Sequence, residues 1–267
     1  MKKSLTKLLF WARDEIYRGR LEAVLVRLSL KSPIRRLWRS VIMTMVGEEF
    51  TAHIDGTGAN FQISSFREYS RLSNMIGEEK VIRSLLADLQ EDDVVYDVGA
   101  NIGIYSCFIM SAGVSTQTIS FEPHTGNIQK LSKNLNMNGD SWRSYQIALG
   151  DKDAMVPFHI ASDEPGESRH SISTGESRVK TMQQRGDTLV KEETLPAPTI
   201  MKIDVEGAEY SVIRGFGELL QNVRIIYCEI HKDADGGSKV ERMLRAEGFD
   251  LEVLQSEQDT YHVRASR

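Results

Sequence analysis

The feature that most constrains the fold is an alternation of short apolar runs with segments of helical periodicity, from residue 77 to the end of the chain. The runs VVYDV, TQTISFEP, RSYQIALG, TIMKIDVEG and VRIIYCEIH predict strands, and helical segments separate most of them. This alternation is typical of a parallel sheet covered by helices on both faces. FDLEVLQ and TYHVRA predict a closing antiparallel pair. We therefore expect an α/β fold.

Size and composition point to one main domain. The chain has 267 residues, of which 40% are hydrophobic, and α/β domains commonly reach this length with a single core. Cys107 and Cys228 lie in apolar runs without CxxC spacing, which argues against a disulfide framework or a zinc site. The sequence contains no apolar run of about 18 residues. We therefore expect a soluble protein of the reducing cytoplasm.

The first 40 residues differ in charge from the rest. They hold eleven basic and three acidic residues, a net charge of +8, whereas the remainder holds 22 basic and 35 acidic residues. Apolar residues recur there at helical spacing, so we predict a basic amphipathic helical extension over residues 1–47 and the main domain over residues 48–267. Such an extension fits an anionic membrane surface, an acidic partner, or its own domain, and the sequence leaves all three open.

The connection between the third and fourth predicted strands is long. Residues 151–198 are rich in turn-forming residues and predict a loop-rich segment, just as residues 48–69 predict a small β-hairpin region. Long loops at the ligand end of a sheet often form lids or substrate pockets, so Arg169, His170 and Ser171 are candidate substrate contacts. A surface excursion without a binding role fits the composition equally well.

The stretch DVGANIG joins the first of these strands to the next helix, at the sheet edge where ligands bind. Asp97 ends the strand, and Gly99 and Gly103 would allow the backbone to approach a ligand. Asn101 replaces the middle glycine of the dinucleotide pattern G-x-G-x-x-G, which argues against a nicotinamide site. An acid here favours a cationic ligand, such as the sulfonium and ammonium groups of S-adenosylmethionine. A structural turn with a capping aspartate is the alternative.

The end of the second strand supplies an independent indication. Glu122, in SFEP, follows Gly103 by nineteen residues and should lie on the neighbouring strand. A carboxylate there can accept hydrogen bonds from both hydroxyls of a ribose. A solvated strand end is the alternative for an isolated glutamate, but together with DVGANIG it favours an adenosine-bearing ligand.

The stretch MKIDVEGAEYSVIRGF places charges where a parallel strand should be apolar. Lys202, Asp204 and Glu206 alternate with apolar residues, so we expect all three on one face of a strand. Unpaired charges in a buried strand are costly, and violations of this kind often mark functional sites. An ion pair between Lys202 and Asp204 that serves structure alone is the alternative.

The following strand, ending in YCEIH, repeats this feature. Glu229 and His231 should share one face near its end. Histidine titrates near neutral pH and can take a proton from a hydroxyl nucleophile. His231 is therefore a candidate general base, with a structural histidine as the alternative.

Five stretches follow one another in a characteristic order: VVYDVGANIGIYS, SFEPHTGNIQKLSKNLNMNG, IALGDKD, IMKIDVEGAEYSVIRGF and IIYCEIH. In order and spacing, residues 79–231 resemble the FkbM family of S-adenosylmethionine-dependent methyltransferases. The resemblance implies a Rossmann-like class I methyltransferase fold, with a seven-stranded, mostly parallel sheet, helices on both faces and an antiparallel final strand. It also implies methyl transfer from S-adenosylmethionine, typically to a hydroxyl oxygen on a sugar, a glycan or another small natural product.

The resemblance implies roles for individual residues as well. Asp204 and Glu206 occupy an acidic motif that borders cofactor and acceptor, and with His231 they are candidates for orienting or deprotonating the acceptor hydroxyl. Lys202 is expected to hold this acidic cluster in place. The family pattern assigns the amino acid end of the cofactor to Asp97, Gly99, Ala100, Asn101 and Gly103, and its ribose to Glu122.

Some features depart from the family pattern or stay open. Members often have TTLDD before the acidic strand, whereas this chain has GDTLVKEE, and the basic extension lies outside the resemblance. A non-catalytic nucleotide- or partner-binding protein and an NAD-type oxidoreductase are the alternatives. Nucleic acid is not expected as a substrate, because the predicted site is acidic. A divalent metal between Asp204 and Glu206 is chemically compatible, but no metal site is predicted.

Overall fold

A computed structural model describes residues 27, 31–75, 77–160, 171–172, 179–192, 195–232 and 238–267. In chain order the strands are β1 (Glu49–Ile54), β2 (Thr57–Gln62), β3 (Val94–Val98), β4 (Gln117–Phe121), β5 (Trp142–Tyr145), β6 (Ala148–Leu149), β7 (Ala154–His159), β8 (Ser171–Ile172), β9 (Lys180–Gln184), β10 (Ile200–Ile203), β11 (Ile225–His231), β12 (Asp250–Ser256) and β13 (Thr260–Ser266). The helices are α1 (Lys31–Val46), α2 (Phe66–Asn74), α3 (Glu79–Asp88), α4 (Ile104–Met110), α5 (Thr125–Asn136), α6 (Gly186–Glu192), α7 (Glu209–Phe216) and α8 (Ser238–Ala246), with a 3₁₀ helix at Gly217–Asn222.

The chain divides into two compact units. One comprises Met1–Phe50 and Gln62–Asn74, and the other comprises Thr51–Phe61 and Met75–Arg267. Most of the predicted basic extension lies outside the described residues, and its boundary at residue 47 stays a prediction. Within the described residues, each helix falls short of the length or apolar character that a bilayer crossing requires.

In the first unit, helix α2 begins inside residues 48–69, the segment that predicted only a β-hairpin, and extends beyond it. The hairpin itself forms from β1 and β2. Helix α2 begins where Ser65 and Glu68 form a reciprocal capping box: the Glu68 amide donates to Ser65 Oγ (3.2 Å), and the Ser65 amide donates to Glu68 Oε2 (3.1 Å). The Phe66 ring packs edge-on against Trp38 of α1, with centroids 5.1 Å apart. The helix therefore follows from a local S-x-x-E signal and an apolar face.

The second unit contains a seven-stranded sheet in the order β12-β13-β11-β10-β3-β4-β5. Neighbouring strands from β5 to β11 pair in parallel, whereas β13 pairs antiparallel with both β11 and β12. Every residue of β10 is buried, so both faces of the sheet are covered. The predicted α/β fold and its closing antiparallel pair are confirmed.

The strand order reverses direction between β3 and β10. From β3 the chain proceeds outward to β4 and β5, and it then returns to the other side of β3 as β10 and β11. In open α/β sheets a ligand crevice forms at such a reversal, beyond the carboxyl ends of the strands. The register places Asp97 of β3 beside Lys202 of β10, directly below this crevice.

The loop-rich interpretation of residues 151–198 is wrong for a large part of the segment. Strands β7 and β9, together with helix α6, lie in this segment, and a four-stranded sheet forms in the order β6-β9-β7-β8. The single strand predicted from RSYQIALG is divided: β5 joins the large sheet, and β6 pairs with β9. These pairings join residues far apart in sequence, which local patterns do not reveal.

Candidate active site

A cleft opens at the carboxyl edge of the large sheet, where the strand order reverses. It encloses about 590 Å³, including space open to solvent. Residues that follow three strands form its polar side, namely Gly99 and Asn101 after β3, Glu122 after β4, and Asp204 and Glu206 after β10. The structure therefore brings together five of the residues predicted to form the site.

The other side of the cleft is apolar. It is formed by Phe121 at the end of β4, by Ile147, Ala148 and Leu149 after β5, and by Phe158 and Ile172 from the smaller sheet. Residues of the segment that we predicted as a loop therefore line the cleft from ordered strands. Arg169 and His170 lie outside the described residues. Ser171 begins β8, where it pairs with His159.

The glycine loop has its shape because the protein itself approaches closely. Gly99 has a φ of +76°, and a Cβ atom there would lie 1.9 Å from the carbonyl oxygen of Asp204. Gly103 has a φ of +88°, and a Cβ atom there would lie 2.5 Å from Leu131. We expected these glycines to make room for a ligand, but both are required by neighbouring protein atoms. Of the loop residues, Ala100 and Gly103 do not line the cleft.

Asp97 lies beneath the loop instead of at its mouth. Its side chain is fully buried, and its Oδ2 accepts hydrogen bonds from the backbone amide (3.2 Å) and the hydroxyl (2.6 Å) of Ser106 in α4. Its Oδ1 lies 3.2 Å from the Nζ atom of Lys202. The expected convergence of Asp97 and Glu122 on one cleft is therefore not observed, because the Asp97 side chain points toward α4.

Lys202 connects the buried aspartate to the cleft. Its Nζ atom donates to the carbonyl oxygen of Gly99 (3.0 Å) and lies 3.7 Å from Asp204 Oδ2. Burial opposes the charge of this ammonium group, but Asp97 and Asp204 outweigh burial and raise the pKa of Lys202. The predicted role in holding the acidic cluster thus agrees with these contacts, and Lys202 does not itself line the cleft.

Glu122 lies at the cleft with both carboxyl oxygens engaged by the protein. The Asn101 amide donates to Oε2, and the His124 amide donates to Oε1, each over 2.8 Å. Burial raises the pKa of Glu122 to about 7, although these hydrogen bonds oppose the shift. The loop and the end of β4 are therefore tied together through this one side chain.

The acidic motif leaves the strand earlier than predicted. β10 ends at Ile203, and the Asp204 amide donates to the carbonyl oxygen of Val98 (3.0 Å). Glu206 then adopts a left-handed backbone with a φ of +53°. The expectation that Lys202, Asp204 and Glu206 alternate along one strand face is wrong, since the strand is finished before Asp204.

His231 lies between two glutamates. Its Nε2 atom is 3.1 Å from Glu206 Oε2, and its Nδ1 atom is 2.8 Å from Glu209 Oε1. Burial lowers the pKa of an imidazole, but the two carboxyl groups prevail and raise the pKa of His231 to about 10. A pKa raised this far favours the imidazolium form at neutral pH, which cannot accept another proton, and this argues against the predicted role as general base.

Sequence reasoning missed Glu209 and Ser106, which support the predicted residues. Glu209 is 3% exposed and lies in the first turn of α7, and Ser106 lies in the first turn of α4. Each residue belongs to a helix that follows a strand and a glycine-containing turn. A polar residue in the first turn of such a helix was the available signal.

Comparison with known proteins agrees with this geometry. The family model described as the methyltransferase FkbM domain matches residues 97–251, which is more than half of the chain. The chain therefore belongs to the FkbM methyltransferase family. The predicted resemblance is confirmed, and the NAD-type oxidoreductase is no longer supported. As in class I methyltransferases, the FkbM-family chain has a seven-stranded, mostly parallel sheet.

Relatives of this FkbM-family chain include three named methyltransferases. It is 29% identical over 225 residues to the hexuronic acid methyltransferase AglP of Haloferax volcanii, covering 84% of this chain and 91% of that protein. It is 26% identical to the 2-O-methyltransferase NoeI of Sinorhizobium fredii, covering 56% and 68%. It is 27% identical to the 31-O-demethyl-FK506 methyltransferase FkbM of Streptomyces tacrolimicus, covering 61% and 75%.

Proposed function

We propose that this protein transfers a methyl group from S-adenosylmethionine to a hydroxyl oxygen of a sugar or another small natural product. The observation that carries the proposal is the composition of the cleft. Glu122, Asp204 and Glu206 line it, and among the described lining residues none is basic. A carboxyl-rich, partly apolar cleft fits a ligand that combines an apolar base, ribose hydroxyls and positive charge.

The cofactor would be held by residues on both sides of the cleft. Glu122 is the candidate partner of the ribose hydroxyls, and the Gly99–Asn101 backbone is the candidate support of the amino acid end. Ile147 and Leu149 offer apolar surface for the base. When bound, S-adenosylmethionine supplies an electrophilic methyl group on its sulfonium. Asp97 supports this site indirectly, by holding Lys202 against the Gly99 carbonyl.

Asp204 and Glu206 are the candidate groups for the acceptor. Either carboxylate can accept the hydrogen bond of the acceptor hydroxyl and take up its proton as the new oxygen–carbon bond forms. The methyl carbon would leave the sulfonium with its electron pair remaining on sulfur, so that a neutral thioether is released. Each is fixed by a cationic neighbour, Asp204 by Lys202 and Glu206 by His231. These contacts would allow the two carboxyl groups to orient the acceptor oxygen. The names of the relatives support oxygen as the methylated atom and a sugar acid as one acceptor.

The proposal is tested by following a labelled methyl group. The purified protein is incubated with methyl-labelled S-adenosylmethionine and with hexuronic acids, neutral oligosaccharides or fractions of a cell extract. We expect label in a carbohydrate or small-molecule fraction, and mass spectrometry locates it on oxygen. Absence of both calorimetric binding of the cofactor and label transfer would favour the non-catalytic alternative.

The cofactor site is tested with a matched pair of variants. Glu122→Ala should weaken the binding of S-adenosylmethionine in calorimetry, whereas Glu252→Ala, on the exposed surface of β12, should not. Circular dichroism establishes that both variants are folded. Unchanged affinity in folded Glu122→Ala would show that the ribose assignment is wrong.

A further inference from the structure

Glu206 is one of two non-glycine residues with a left-handed backbone among the described residues that line the cleft, and Asn101 is the other. Its φ is +53°, and the φ of Gly207 is +94°. A non-glycine residue in the left-handed region is strained and persists only where its surroundings hold it. The contacts that hold Glu206 therefore bear directly on the position of its carboxyl group.

Those contacts form a closed ring of hydrogen bonds. Glu206 Oε2 faces His231 Nε2 at 3.1 Å, and His231 Nδ1 faces Glu209 Oε1 at 2.8 Å. The same Glu209 oxygen accepts a hydrogen bond from the Gly207 amide (2.8 Å). Because Gly207 directly follows Glu206, this bond closes the ring. The side chain and the backbone of the left-handed turn are thus both attached to one buried carboxyl group.

The imidazole must donate from both nitrogens to complete this ring. Both of its nitrogens face carboxyl oxygens, which accept hydrogen bonds and do not donate them when ionised. Glu229, two residues earlier on β11, adds a third acidic group near His231, and it is itself paired with His262 of β13. Each of these three carboxyl groups therefore stabilises the positively charged imidazolium form of His231.

We propose that Glu209 and His231 are positioning residues, which hold the Glu206 carboxyl group at the cleft where the acceptor hydroxyl binds. His231 acts through two donated hydrogen bonds and does not take the proton of the acceptor. The inference rests on the proposed function, because Glu206 matters for the reaction only if methyl transfer takes place in this cleft. It assigns to His231 a role different from that of a base.

Two substitutions of His231 distinguish these roles. In His231→Gln the amide nitrogen can replace Nε2 and donate to Glu206, whereas in His231→Asn it can replace Nδ1 and reach only Glu209. We expect methyl transfer to fall about 100-fold in His231→Asn, because a misplaced group costs about that much, and less than about 10-fold in His231→Gln. Equal losses in both variants would overturn the inference. A general base at position 231 predicts equal losses, since neither amide accepts a proton.

The pH dependence of the rate gives a second comparison. If His231 is the base, the wild-type rate rises with pH as the imidazole loses its proton. This rising part of the pH–rate profile would be absent in both variants. With His231 as a positioning cation, the wild-type rate has no such limb, and it falls when the proton is lost at high pH. A wild-type limb attributable to neutral His231 would overturn the proposal.

A spectroscopic measurement tests the ring without any turnover. Nitrogen NMR of labelled imidazole should show His231 doubly protonated at pH 7, with a titration near pH 10. Glu209→Gln and Glu206→Gln should each lower the pKa of His231, because each removes a negative charge beside the imidazole. A neutral His231 at pH 7 would overturn the positioning role even if methyl transfer is observed. Doubly protonated His231 in a protein that binds no S-adenosylmethionine would instead refute the proposed function and leave the ring intact.

Discussion

The two edges of the large sheet both bury charged groups, and the cleft formed by the described residues lies at the carboxyl edge. At the amino edge, Asp93, Thr199 and Arg224 directly precede β3, β10 and β11. Asp93 accepts hydrogen bonds from the Thr199 hydroxyl (2.6 Å), from Arg224 Nε (3.2 Å) and from the Gln90 amide (2.8 Å). All of these partners belong to the protein, and this cluster joins the three strands.

At the carboxyl edge, the same three strands carry a different arrangement. The Asp97–Lys202 pair is as deeply buried as Asp93, but Asp204 and Glu206 each contact one cation and also line the cleft. Burial and ion pairing are therefore common to both edges. Open space beside the carboxyl groups distinguishes the candidate active site from a structural cluster.

Among substitutions at the two edges, Lys202→Met is expected to lower the free energy of unfolding the most. It leaves the carboxyl group of Asp97 buried without its cation, while the Ser106 hydrogen bonds remain. Removing one partner of a buried ion pair lowers the free energy of unfolding by about 3–5 kcal/mol. Denaturant unfolding followed by circular dichroism measures the loss.

The double variant Asp97→Asn with Lys202→Met is the matched control. Because it removes both charges, we expect it to recover most of the stability lost in Lys202→Met. A double variant as unstable as the single one would show that the loss comes from the packing of the lysine. Ion pairing would then not be a stabilising feature common to the two edges.

Glu122 sharpens the comparison, because it is buried at the carboxyl edge and held by amide donors. Burial raises its pKa from 4.5 to about 7. A folded-state pKa above the unfolded value means that its contribution to stability is complete below pH 4.5 and is lost as the pH rises through about 7. The difference corresponds to roughly 3 kcal/mol.

Glu122→Gln should remove this pH dependence. Between pH 4.5 and 7 the free energy of unfolding of the wild type should decline relative to that of Glu122→Gln, and Glu252→Gln should follow the wild type. Denaturant unfolding at a series of pH values measures the difference. Parallel profiles for the wild type and Glu122→Gln would indicate that Glu122 keeps an ordinary pKa in the folded protein.

The sequence was sufficient for the parallel sheet and for the edge at which its acids gather. Apolar runs that alternate with helical segments indicated β3, β4, β10 and β11, and the carboxyl ends of parallel strands necessarily share one edge. That geometry alone brings Glu122 and Asp204 to the same cleft. The prediction required no knowledge of side-chain contacts.

The contacts at that edge depend on which strands are neighbours, and this information is not local. Gly99 is required because the Asp204 carbonyl, more than a hundred residues later, lies against it. Asp97 points to Ser106 because its position in β3 directs its side chain to the α4 face. The pKa of His231 is raised by Glu206 and Glu209, both of which follow the neighbouring strand β10. A pattern of apolar and charged letters contains none of these pairings.

The smaller sheet was missed for the same reason. β6 pairs with β9 across some 35 residues, and β6 has two residues whereas β9 is mostly polar. Short strands have weak intrinsic preference, and their stability comes from partners that the local sequence does not specify. The apolar residues that β7 and β8 contribute to the cleft could therefore not be assigned beforehand.

Arg224→Met has the smallest expected effect, and it tests whether the amino edge is structural alone. Asp93 loses its guanidinium partner but keeps the hydrogen bonds from Thr199 and Gln90. Because the Arg224 side chain is 25% exposed, whereas Lys202 is 6% exposed, water can replace part of the lost interaction, and the free energy of unfolding should fall by only about 1–2 kcal/mol. Calorimetry with S-adenosylmethionine should give the wild-type affinity, because the cluster lies at the edge opposite the cleft. A clear loss of affinity in folded Arg224→Met would mean that the two edges are coupled through β3 and β10, and the distinction between them would not hold.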